Sequence, residues 1–374
     1  MMPYYLRPSL PGRPLIAAIV NPLSASYAHV ARVRRAWYER RPHLRRQLGC
    51  PVISVGNLVV GGSGKTPVVA AIAELLRDAG YTPAILSRGY KRRSAADGVV
   101  VVSDGTQVLA DVNASGDEPQ MLARQLRGVP VLVSADRFLS GTLARRRFDA
   151  DVLILDDGYQ HLRVARTVDL LLLRAADLED AVVPSGRLRE PIEAARRADA
   201  ILVPDGEGDP ADVARRVGVA DAFAVRTHVG ALRAIGAVEG RAEGRPLHDG
   251  VPEGRPLRVI AVAAIARPER FVNALRSLGY EVTREIAFRD HHWFTRADIA
   301  RIERAAMDAA VDLVVTTEKD AMRLEAQPLR SARSAYLPMR ASIAGPGVSR
   351  ALSSEQPDAF REWLLARVRQ GAPA

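Results

Sequence analysis

Residues 53–66 read ISVGNLVVGGSGKT, and this stretch decides the fold. Its first half is a short apolar strand, its second half is a glycine-rich turn, and a helical pattern follows from Pro67 to Asp78. Glycines let the backbone turn so that successive N–H groups face phosphate oxygens, and the helix presents its positive N-terminal end to the same anion. The stretch therefore predicts the phosphate-binding loop of a protein that binds a nucleoside triphosphate.

The loop departs from the strict pattern at one position. Val59 stands where the pattern has its first glycine, and Gly61 and Gly62 supply flexibility from another position. In such a loop Lys65 supplies charge for the outer phosphates, and the hydroxyl of the next residue can ligate Mg²⁺. The residues predicted to bind the nucleotide are Val59, Val60, Gly61, Gly62, Ser63, Gly64, Lys65 and Thr66. The alternative is a glycine-rich strand-to-helix turn with a surface lysine.

Lysine is rare in this chain, which supports a functional role for Lys65. The 53 Lys and Arg residues include only three lysines, which are Lys65, Lys91 and Lys319. The rigid, planar guanidinium of arginine cannot replace a compact ammonium in a phosphate cradle. Lys319 is a candidate on the same ground, whereas Lys91 could equally lie on a solvated basic edge. Because Lys319 and Asp320 are adjacent, they do not match the Asn/Thr-Lys-x-Asp pattern of many guanine-nucleotide-binding proteins, and the sequence favours ATP.

Two adjacent carboxylates, Asp156 and Asp157, follow the apolar strand predicted at residues 152–155. In open α/β sheets, ligands gather at the carboxyl ends of the strands. Either aspartate could hold Mg²⁺ beside Thr66, directly or through water. Asp-Asp-Gly also suits a tight turn, so a plain strand-end turn is the alternative.

A kinase also orients an acceptor hydroxyl, and a nearby carboxylate or histidine can take its proton. The sequence offers five candidates for this role, which are Asp117, Glu118, His161, His291 and His292. Taken alone, Asp117 is more simply interpreted as a helix cap. The Asp-His-His run at residues 290–292 does not predict a metal site, because adjacent residues rarely present both rings to one ion.

The bulk composition points to an anionic partner. The 374 residues leave room for two domains, and the net charge is +10. Nucleic acid is not expected, because aromatic residues make up only 5% of the chain and no stacking-rich motif is evident.

The single cysteine, Cys50, excludes an internal disulfide and fits a reducing compartment. No signal peptide and no run of about 20 apolar residues is evident, so a cytosolic or membrane-surface protein is expected.

Residues 1–48 are predicted to form amphipathic helices that associate with a membrane. Residues 15–20 are apolar, and Pro22 could open a second helix with apolar and aromatic residues on one side. Between Arg32 and Arg46 there are seven arginines and one acid, Glu39. Such a helix can lie in a membrane interface, where its arginines face anionic headgroups. The alternative is a helix that packs on the core and leaves a solvated arginine face.

From Cys50 to about Val203, strand and helix patterns alternate. Near-continuous apolar strands indicate a sheet that is buried on both faces. The pattern predicts an α/β protein, similar to P-loop NTPases, with a doubly wound and mostly parallel sheet. We predict a kinase domain at residues 49–235, an exposed linker at 236–257 and a smaller α/β domain with a terminal helix at 258–374.

Nine short stretches fall in one order along the chain. They are SVGN at 54–57, GGSGKTP at 61–67, SRGY at 87–90, GDEP at 116–119, DDGYQH at 156–161, LREP at 188–191, RPERF at 267–271, DHH at 290–292 and TEKD at 317–320. In this combination the chain resembles the tetraacyldisaccharide 4'-kinase family, the lipid A 4'-kinases. A loop with a variant first position, as at Val59, looks normal for that family.

The resemblance implies an activity and a location. It implies transfer of the γ-phosphate of ATP to the 4'-hydroxyl of a tetraacylated glucosamine disaccharide 1-phosphate. It also implies a peripheral enzyme on the cytoplasmic face of the inner membrane, with a lipid disaccharide as substrate and an anionic membrane surface as partner. No protein partner is indicated.

The resemblance also implies roles for individual residues. Asp117 looks like the base that activates the acceptor, paired with His291, while Lys65 holds the outer phosphates. The resemblance further implies that strand-end and loop acids organise magnesium and the phosphates. With the loop threonine, the expected metal set is Thr66, Asp156, Asp157 and Glu190.

Two other functions compete with this interpretation. A membrane-associated P-loop ATPase that acts as a switch or scaffold explains the loop, the strand-end acids and the basic N-terminal segment. It leaves Asp117 and the histidine pair unexplained. A nucleic-acid-binding NTPase is motivated by the net charge of +10, but the arginines are spread along the chain.

Overall fold

The computed structural model describes residues 14–62, 64–94, 97–235, 256–330, 332–344 and 358–371. Ser63 of the predicted loop and residues 236–255 of the predicted linker lie outside these ranges. None of the helices within the described ranges is both long and apolar enough to cross a bilayer.

The strands form mainly where the sequence has apolar, β-branched runs. Most strands near the centre of a sheet are buried along their whole length, as the sequence predicts for a sheet covered on both faces. In chain order the strands are β1 (Val52–Asn57), β2 (Pro83–Ser87), β3 (Val100–Ser103), β4 (Val131–Val133), β5 (Val152–Asp156), β6 (Val168–Leu172), β7 (Ala200–Pro204), β8 (Asp221–Val229), β9 (Arg233–Ala234), β10 (Arg258–Ala263), β11 (Glu281–Ala287), β12 (Leu313–Thr317), β13 (Ser334–Leu337) and β14 (Met339–Ala344).

Helices connect most of these strands, and several begin at a capping side chain. The hydroxyl of Thr317, for example, accepts the N–H of Asp320 at the start of one helix. In chain order the helices are α1 (Pro14–Glu39), α2 (Lys65–Asp78), α3 (Val112–Ser115), α4 (Asp117–Gln125), α5 (Arg137–Phe148), α6 (Pro210–Val217), α7 (Pro268–Ser277), α8 (Arg296–Asp308), α9 (Glu318–Leu324) and α10 (Asp358–Gln370). Residues Ile192–Arg197 form a 3₁₀ helix.

The chain divides into two compact units. Unit 1 contains the described residues of Met1–Leu86, Asp136–Thr227 and Ala341–Ala374. Its strands are hydrogen-bonded in the order β14-β8-β7-β6-β1-β5-β2. The central strand β1 pairs in parallel with both β5 and β6. The predicted doubly wound, mostly parallel α/β sheet is therefore confirmed, and the carboxyl ends of β1 and β5 lie side by side.

Unit 2 contains the described residues of Ser87–Ala135 and His228–Arg340. Its main sheet has the strand order β11-β10-β12-β13-β9, parallel except for the antiparallel pairing of β9 with β13. Helices α4 and α9 pack together, with Met121 contacting a buried apolar cluster that includes Ala321 and Met322. Because α4 and α9 both carry acidic residues in their first turns, this packing brings charged groups from distant parts of the chain together.

The observed division differs from the predicted domain ranges. Residues 87–135, predicted within the kinase domain, group with unit 2, and residues 341–374, predicted within the smaller domain, group with unit 1. Two kinds of contact explain this. The packing of α4 on α9 holds the first segment in unit 2, and in unit 1 the indole of Trp363 donates a hydrogen bond to Asp221.

The N-terminal prediction of two helices separated at Pro22 is wrong. One helix, α1, runs through Pro22 to Glu39. Proline in a helix interior costs about 3 kcal/mol, but the rest of α1 is fastened to unit 1. The Ser24 hydroxyl bonds to Ser185 at 2.7 Å, and a buried ion pair joins Arg35 to Glu190.

Candidate active site

The predicted phosphate loop joins β1 to α2 in unit 1. Gly61 and Gly64 have φ angles of 102° and 81°, which favour glycine over any residue with a Cβ. Helix α2 begins at Lys65, directly after Gly64, so its first N–H groups open toward the loop. The loop thus has the backbone turn and the helix N-terminus that an anion site needs.

Val59 occupies the first loop position for a structural reason. Its side chain is buried in the core of unit 1, and its backbone forms a bridge with Leu188. The next residue, Val60, donates its N–H to the carbonyl of Arg187 at 2.8 Å. An extended, paired backbone with a buried side chain suits valine, so flexibility is left to the glycines that follow.

Lys65 lies between a side-chain amide and a strand-end carboxylate. Its ammonium is 2.9 Å from Oδ1 of Asn57 and 3.2 Å from Oδ1 of Asp157. Arg189 contacts the other carboxylate oxygen of Asp157 at 2.7 Å. Burial opposes ionisation here, but Lys65 and Arg189 outweigh it and lower the pKa of Asp157 to about 2. The aspartate is therefore charged and holds the lysine beside the loop.

The members of the expected metal set have different surroundings, and Glu190 is bound by an arginine. Thr66 lies in the first turn of α2 and is buried, and Asp156 is the buried last residue of β5, beside the end of β1. Both carboxylate oxygens of Glu190 accept hydrogen bonds from Arg35, at 2.6 and 2.9 Å. Glu190 thus anchors α1 to the segment that follows Arg189.

Unit 2 contains a second cluster of charged groups, centred on Asp117. This residue begins α4 and its side chain is only 4% exposed. Its Oδ2 lies 2.9 Å from Nδ1 of His291 and 3.0 Å from the guanidinium of Arg323. Its Oδ1 accepts the N–H of Glu118 at 3.0 Å. The N-cap of α4 is Gly116, so Asp117 is the first helical residue and not the N-cap.

The charges in this cluster keep Asp117 ionised. Burial opposes ionisation, but the hydrogen bond from His291 and the positive charges of Lys319 and Arg323 lower the pKa of Asp117 to about 2. Arg323 is almost completely buried and also pairs with Asp320, which accepts the N–H of Ala264 at 2.8 Å. The buried Arg323 and its second partner, Asp320, therefore help to fix the position of Asp117.

His291 is held by its backbone as well as by its ring. Its φ angle is 61°, a left-handed conformation that non-glycine residues rarely adopt, and its N–H donates to Ala264 at 3.0 Å. Strained backbone of this kind is common at functional sites. The neighbouring ring of His292 instead contacts Asp298, at 2.9 Å, and stacks on Phe288. The two histidines thus have separate carboxylate partners.

The remaining candidates occupy other environments. His161 belongs to unit 1, where burial and the charge of Arg137 lower its pKa to about 4. It is therefore neutral near pH 7. Glu118 contacts Lys319 at 3.2 Å in unit 2. Lys91 is exposed and reaches the backbone carbonyl of Asp290 at 3.4 Å.

The family model for tetraacyldisaccharide-1-P 4'-kinase matches residues 16–356. The chain belongs to this family. A tetraacyldisaccharide 4'-kinase of Syntrophus aciditrophicus is 39% identical over 321 residues, which are 82% of this chain and 84% of that protein. The corresponding protein of Desulfotalea psychrophila is 37% identical over 333 residues, covering 85% of this chain and 92% of that protein.

A solved structure agrees with the family assignment. A crystal structure of the family member LpxK from Aquifex aeolicus, in complex with ATP, superimposes with a TM-score of 0.71 and 28% identity. It covers 95% of this chain and all of that one. The predicted family, the α/β class and the assignment to a phosphotransferase family are thereby confirmed, and a switch or scaffold without an acceptor is not favoured.

Several residues that shape the two sites have no role that the sequence alone predicts. In unit 1 these are the arginine that pairs with Glu190 and the asparagine and arginine that flank the Lys65–Asp157 pair. In unit 2 they are the buried arginine beside Asp117 and its second acid. The set is Arg35, Asn57, Arg189, Asp320 and Arg323. Asn57, Arg189 and Asp320 lie within the matched motifs, whereas the abundance of arginine hides Arg35 and Arg323.

Proposed function

We propose that this chain transfers the γ-phosphate of ATP to the 4'-hydroxyl of a tetraacylated glucosamine disaccharide 1-phosphate. The observation that carries the proposal is the contact between Lys65 of the phosphate loop and the strand-end carboxylate Asp157, in a chain of this kinase family. A loop lysine beside a strand-end acid is the arrangement expected for a phosphoryl-transfer site.

ATP is the proposed donor, bound by the loop from Val59 to Thr66. The Aquifex aeolicus structure, which covers 95% of this chain, is a complex with ATP. In this chain the backbone of Gly61 to Gly64 and the N-terminus of α2 would cradle the phosphates, and Lys65 would contact the outer ones. Val59 would contribute only backbone, because its side chain is buried in the core.

Magnesium is the proposed metal, and two residues fit it directly. The hydroxyl of Thr66 and the carboxylate of Asp156 are oxygen donors of the kind that Mg²⁺ prefers, and few protein ligands suffice because phosphates and waters complete its shell. Asp157 and Glu190 already bind Lys65 and Arg35, respectively, so we assign them to positioning these cations around the site. When bound, the ion would neutralise charge on the transferring phosphate.

The Asp117–His291 pair is the proposed proton acceptor for the 4'-hydroxyl. Both oxygens of Asp117 are engaged, and its pKa of about 2 makes the carboxylate a weak base. We therefore assign proton transfer to the ring of His291, with Asp117 orienting it and stabilising the charge that develops. Both residues belong to unit 2, whereas the phosphate loop belongs to unit 1.

Residues 1–48 are the proposed membrane-associating segment, on the cytoplasmic face of the inner membrane. Five exposed apolar or aromatic side chains recur on α1 at spacings of three or four residues, namely Leu23, Tyr27, Val30, Val33 and Trp37. The buried face of α1 instead carries Ser24, Ala28 and Arg35. An apolar stripe that faces away from the core, flanked by arginines, suits a membrane interface rather than packing on the protein.

The kinase proposal is tested with radiolabelled ATP and the disaccharide lipid in detergent micelles, resolved by thin-layer chromatography. We expect label in the lipid product and none when the 4'-hydroxyl is replaced by hydrogen. Labelled inorganic phosphate without labelled lipid would contradict the proposal. That result would favour the alternative, a membrane-associated ATPase that acts as a switch or scaffold.

The membrane proposal is tested by sedimentation with vesicles that contain about one-third anionic lipid. Changing Val30 and Val33 to serine should release the protein, because both side chains are more than half exposed and no buried contact is lost. The matched control is Met307→Ser, which removes a side chain that is 65% exposed on α8. Equal sedimentation of the α1 variant and the control would contradict the proposal that α1 binds the membrane.

A further inference from the structure

Lys319 of unit 2 contacts the only nitrogen of His291 that does not face Asp117. Its ammonium lies 3.0 Å from Nε2 of His291. The same ammonium is 3.2 Å from Oε1 of Glu118 and 3.7 Å from Oδ1 of Asp290. The Lys319 side chain is largely buried, with 17% of its surface exposed. One lysine thus touches both the imidazole and two nearby carboxylates.

The lysine carries a positive charge in this position. Burial alone would lower the pKa of Lys319, but the carboxylates of Glu118, Asp117, Asp290 and Asp320 outweigh burial and raise it. An ammonium has three donors and no acceptor. In the contact with Lys319, Nε2 of His291 must therefore be the acceptor and cannot carry a proton.

The opposite side of the ring leads to the same tautomer. Asp117 is ionised and accepts only, so Nδ1 of His291 must carry the proton that it donates to Oδ2 across 2.9 Å. Among the described residues, the edge-on ring of Tyr90, 5.5 Å away, and the Asp290 carboxylate, 3.9 Å from Nε2, also face the ring. The contacts on both nitrogens therefore select a neutral imidazole.

We propose that Lys319 is a positioning residue that holds His291 as the neutral Nδ1–H tautomer and covers Nε2 until the acceptor sugar arrives. This inference rests on the proposed role of His291. The 4'-hydroxyl gives its proton to Nε2, its oxygen bonds to the γ-phosphorus, and the bond from that phosphorus to ADP breaks. Since Nδ1 is committed to Asp117, Nε2 can take the proton only after the ammonium has left it.

The surroundings explain why this residue is a lysine. When the ammonium leaves Nε2, Glu118 at 3.2 Å and Asp290 at 3.7 Å remain as partners, so the displacement does not strand a buried charge. A compact ammonium on a flexible stem can exchange partners, whereas a planar guanidinium is fixed by its fork. In a chain with three lysines among 53 basic residues, Lys319 is therefore not a chance choice.

The proposal is tested on the free, full-length protein by long-range ¹H–¹⁵N correlation of ¹⁵N-histidine, with His291→Gln used to assign the signal. We expect a protonated Nδ1 and an unprotonated Nε2 in the wild type at pH 7. In Lys319→Met, the protonated fraction of Nε2 should rise about tenfold at the same pH, because a neighbouring positive charge is gone. A protonated Nε2 in the wild type would overturn the proposal without any variant.

Two further variants separate this role from a general loss of charge or of folding. Lys319→Arg keeps a positive donor and should restore the unprotonated Nε2. Lys91→Met removes an exposed lysine that reaches the backbone carbonyl of Asp290 and lies 5.4 Å from the ring of Tyr90 but has no contact with the His291 ring nitrogens, and it should leave the protonation of Nε2 unchanged. A spectrum that is the same in Lys319→Met and Lys91→Met, with both proteins folded by circular dichroism, would refute the proposal.

The kinase assay supplies a readout that is independent of the spectrum. In Lys319→Met the acid limb of the kcat/KM–pH profile should move up by about 1 pH unit, because Nε2 then holds a proton more readily. Lys91→Met should not move it. If the wild type transfers no phosphate to the lipid, the proposed function fails, while the spectrum still decides whether Lys319 covers Nε2. An acid limb that stays in place in Lys319→Met counts against the proposal.

Discussion

The phosphate loop of unit 1 and the Asp117 cluster of unit 2 both hold a cation against an aspartate, but they are assembled differently. Lys65 reaches Asn57, eight positions away, and Asp157 at the end of the neighbouring strand. Asp117 and His291 are 174 positions apart and meet because α4 packs on α9 and the loop after β11 folds back to Ala264. One site is mostly local, whereas the other depends on the packing of unit 2.

The two sites also differ in how accessible their charges are. The Asp157 side chain is 35% exposed, and that of Asp117 is 4% exposed. A partly exposed carboxylate beside a glycine-rich loop is suited to exchanging partners when a phosphate binds. A buried carboxylate with a fixed histidine is suited to orienting one reacting group. The comparison therefore predicts that changes in unit 1 affect nucleotide binding as well as transfer, and that changes in unit 2 affect turnover with little effect on nucleotide binding.

The largest effect is expected for Lys65→Ala. Loss of the loop ammonium should reduce phosphate transfer by about 10⁴-fold, since it removes the main side-chain charge near the outer phosphates. ATP affinity should fall as well, and the thermal midpoint should stay close to that of the wild type. Transfer to the lipid and ATP binding by calorimetry are the measurements. Lys91→Ala is the control, and near-normal transfer by Lys65→Ala would contradict the assignment of unit 1.

Asp117→Asn should lower kcat by about 10³-fold while ATP affinity changes little. The amide keeps the shape of the side chain but removes the charge that orients His291 and stabilises its protonated form. The measurements are kcat with saturating lipid and the dissociation constant of ATP in the same buffer. Asp157→Asn provides the contrast, because it should weaken ATP binding more than Asp117→Asn does. Weaker ATP binding in Asp117→Asn with unchanged kcat would reverse the roles of the two units.

The local character of the first site explains why the sequence predicted most of it. Strand, turn and helix follow one another within residues 52–78, and Asp156 comes at the end of a recognisable apolar strand. The parallel pairing of β1 with β5 then places that end beside the loop. What the sequence could not supply were partners from distant segments. The bidentate contact of Arg35 with Glu190, 155 positions away, is the clearest example.

The second site could not be derived from spacing at all. Taken alone, the sequence around Asp117 favours a helix cap, and only the family resemblance pairs Asp117 with His291. Local sequence patterns predict where α4 and α9 begin. They do not predict that these two helices pack against each other. The same limit applies to the domain ranges, because residues 87–135 join unit 2 through contacts with the segment around α9. Pro22 shows the opposite case. A proline locally favours a helix start, but α1 continues through it because contacts such as the Arg35–Glu190 ion pair hold the helix to unit 1.

Two buried arginines, Arg35 in unit 1 and Arg323 in unit 2, allow the stability of the two regions to be compared. Arg323→Met removes a cation shared by two carboxylates, Asp117 and Asp320, and should cost about 4 kcal/mol. Arg35→Met takes its arginine from one carboxylate, Glu190, and should cost about 3 kcal/mol. Urea unfolding measures the change in the free energy of unfolding for each variant, and amide hydrogen exchange shows which helices lose protection. Arg323→Met should reduce protection in α4 and α9, and Arg35→Met in α1. Loss of protection in the same helices for both variants would argue against two separately fastened regions.

The smallest effect is expected in the acid dependence of stability. The pKa values of Asp117 and Asp157 are both lowered to about 2 in the folded protein, below the ordinary value of 3.8. A carboxylate whose folded pKa is depressed stabilises the protein fully above its unfolded pKa, and this contribution is lost as the pH falls toward the folded value. Asp117 should account for about 2 kcal/mol between pH 5 and pH 2, and Asp157 for about half of that because solvent screens it.

Urea unfolding at intervals from pH 5 to pH 2.5 measures this dependence in the wild type, in Asp117→Asn and in Asp157→Asn. Each variant should lose stability less steeply on acidification than the wild type, and Asp117→Asn should show the larger change because its carboxylate is more deeply buried. The exposed Asp78→Asn controls for removal of a carboxylate as such. The exposure of the two side chains predicts different pH slopes of the unfolding free energy for Asp117→Asn and Asp157→Asn. Equal slopes would contradict this prediction, because they would show that the buried cluster of unit 2 and the partly exposed pair of unit 1 stabilise their charged aspartates equally.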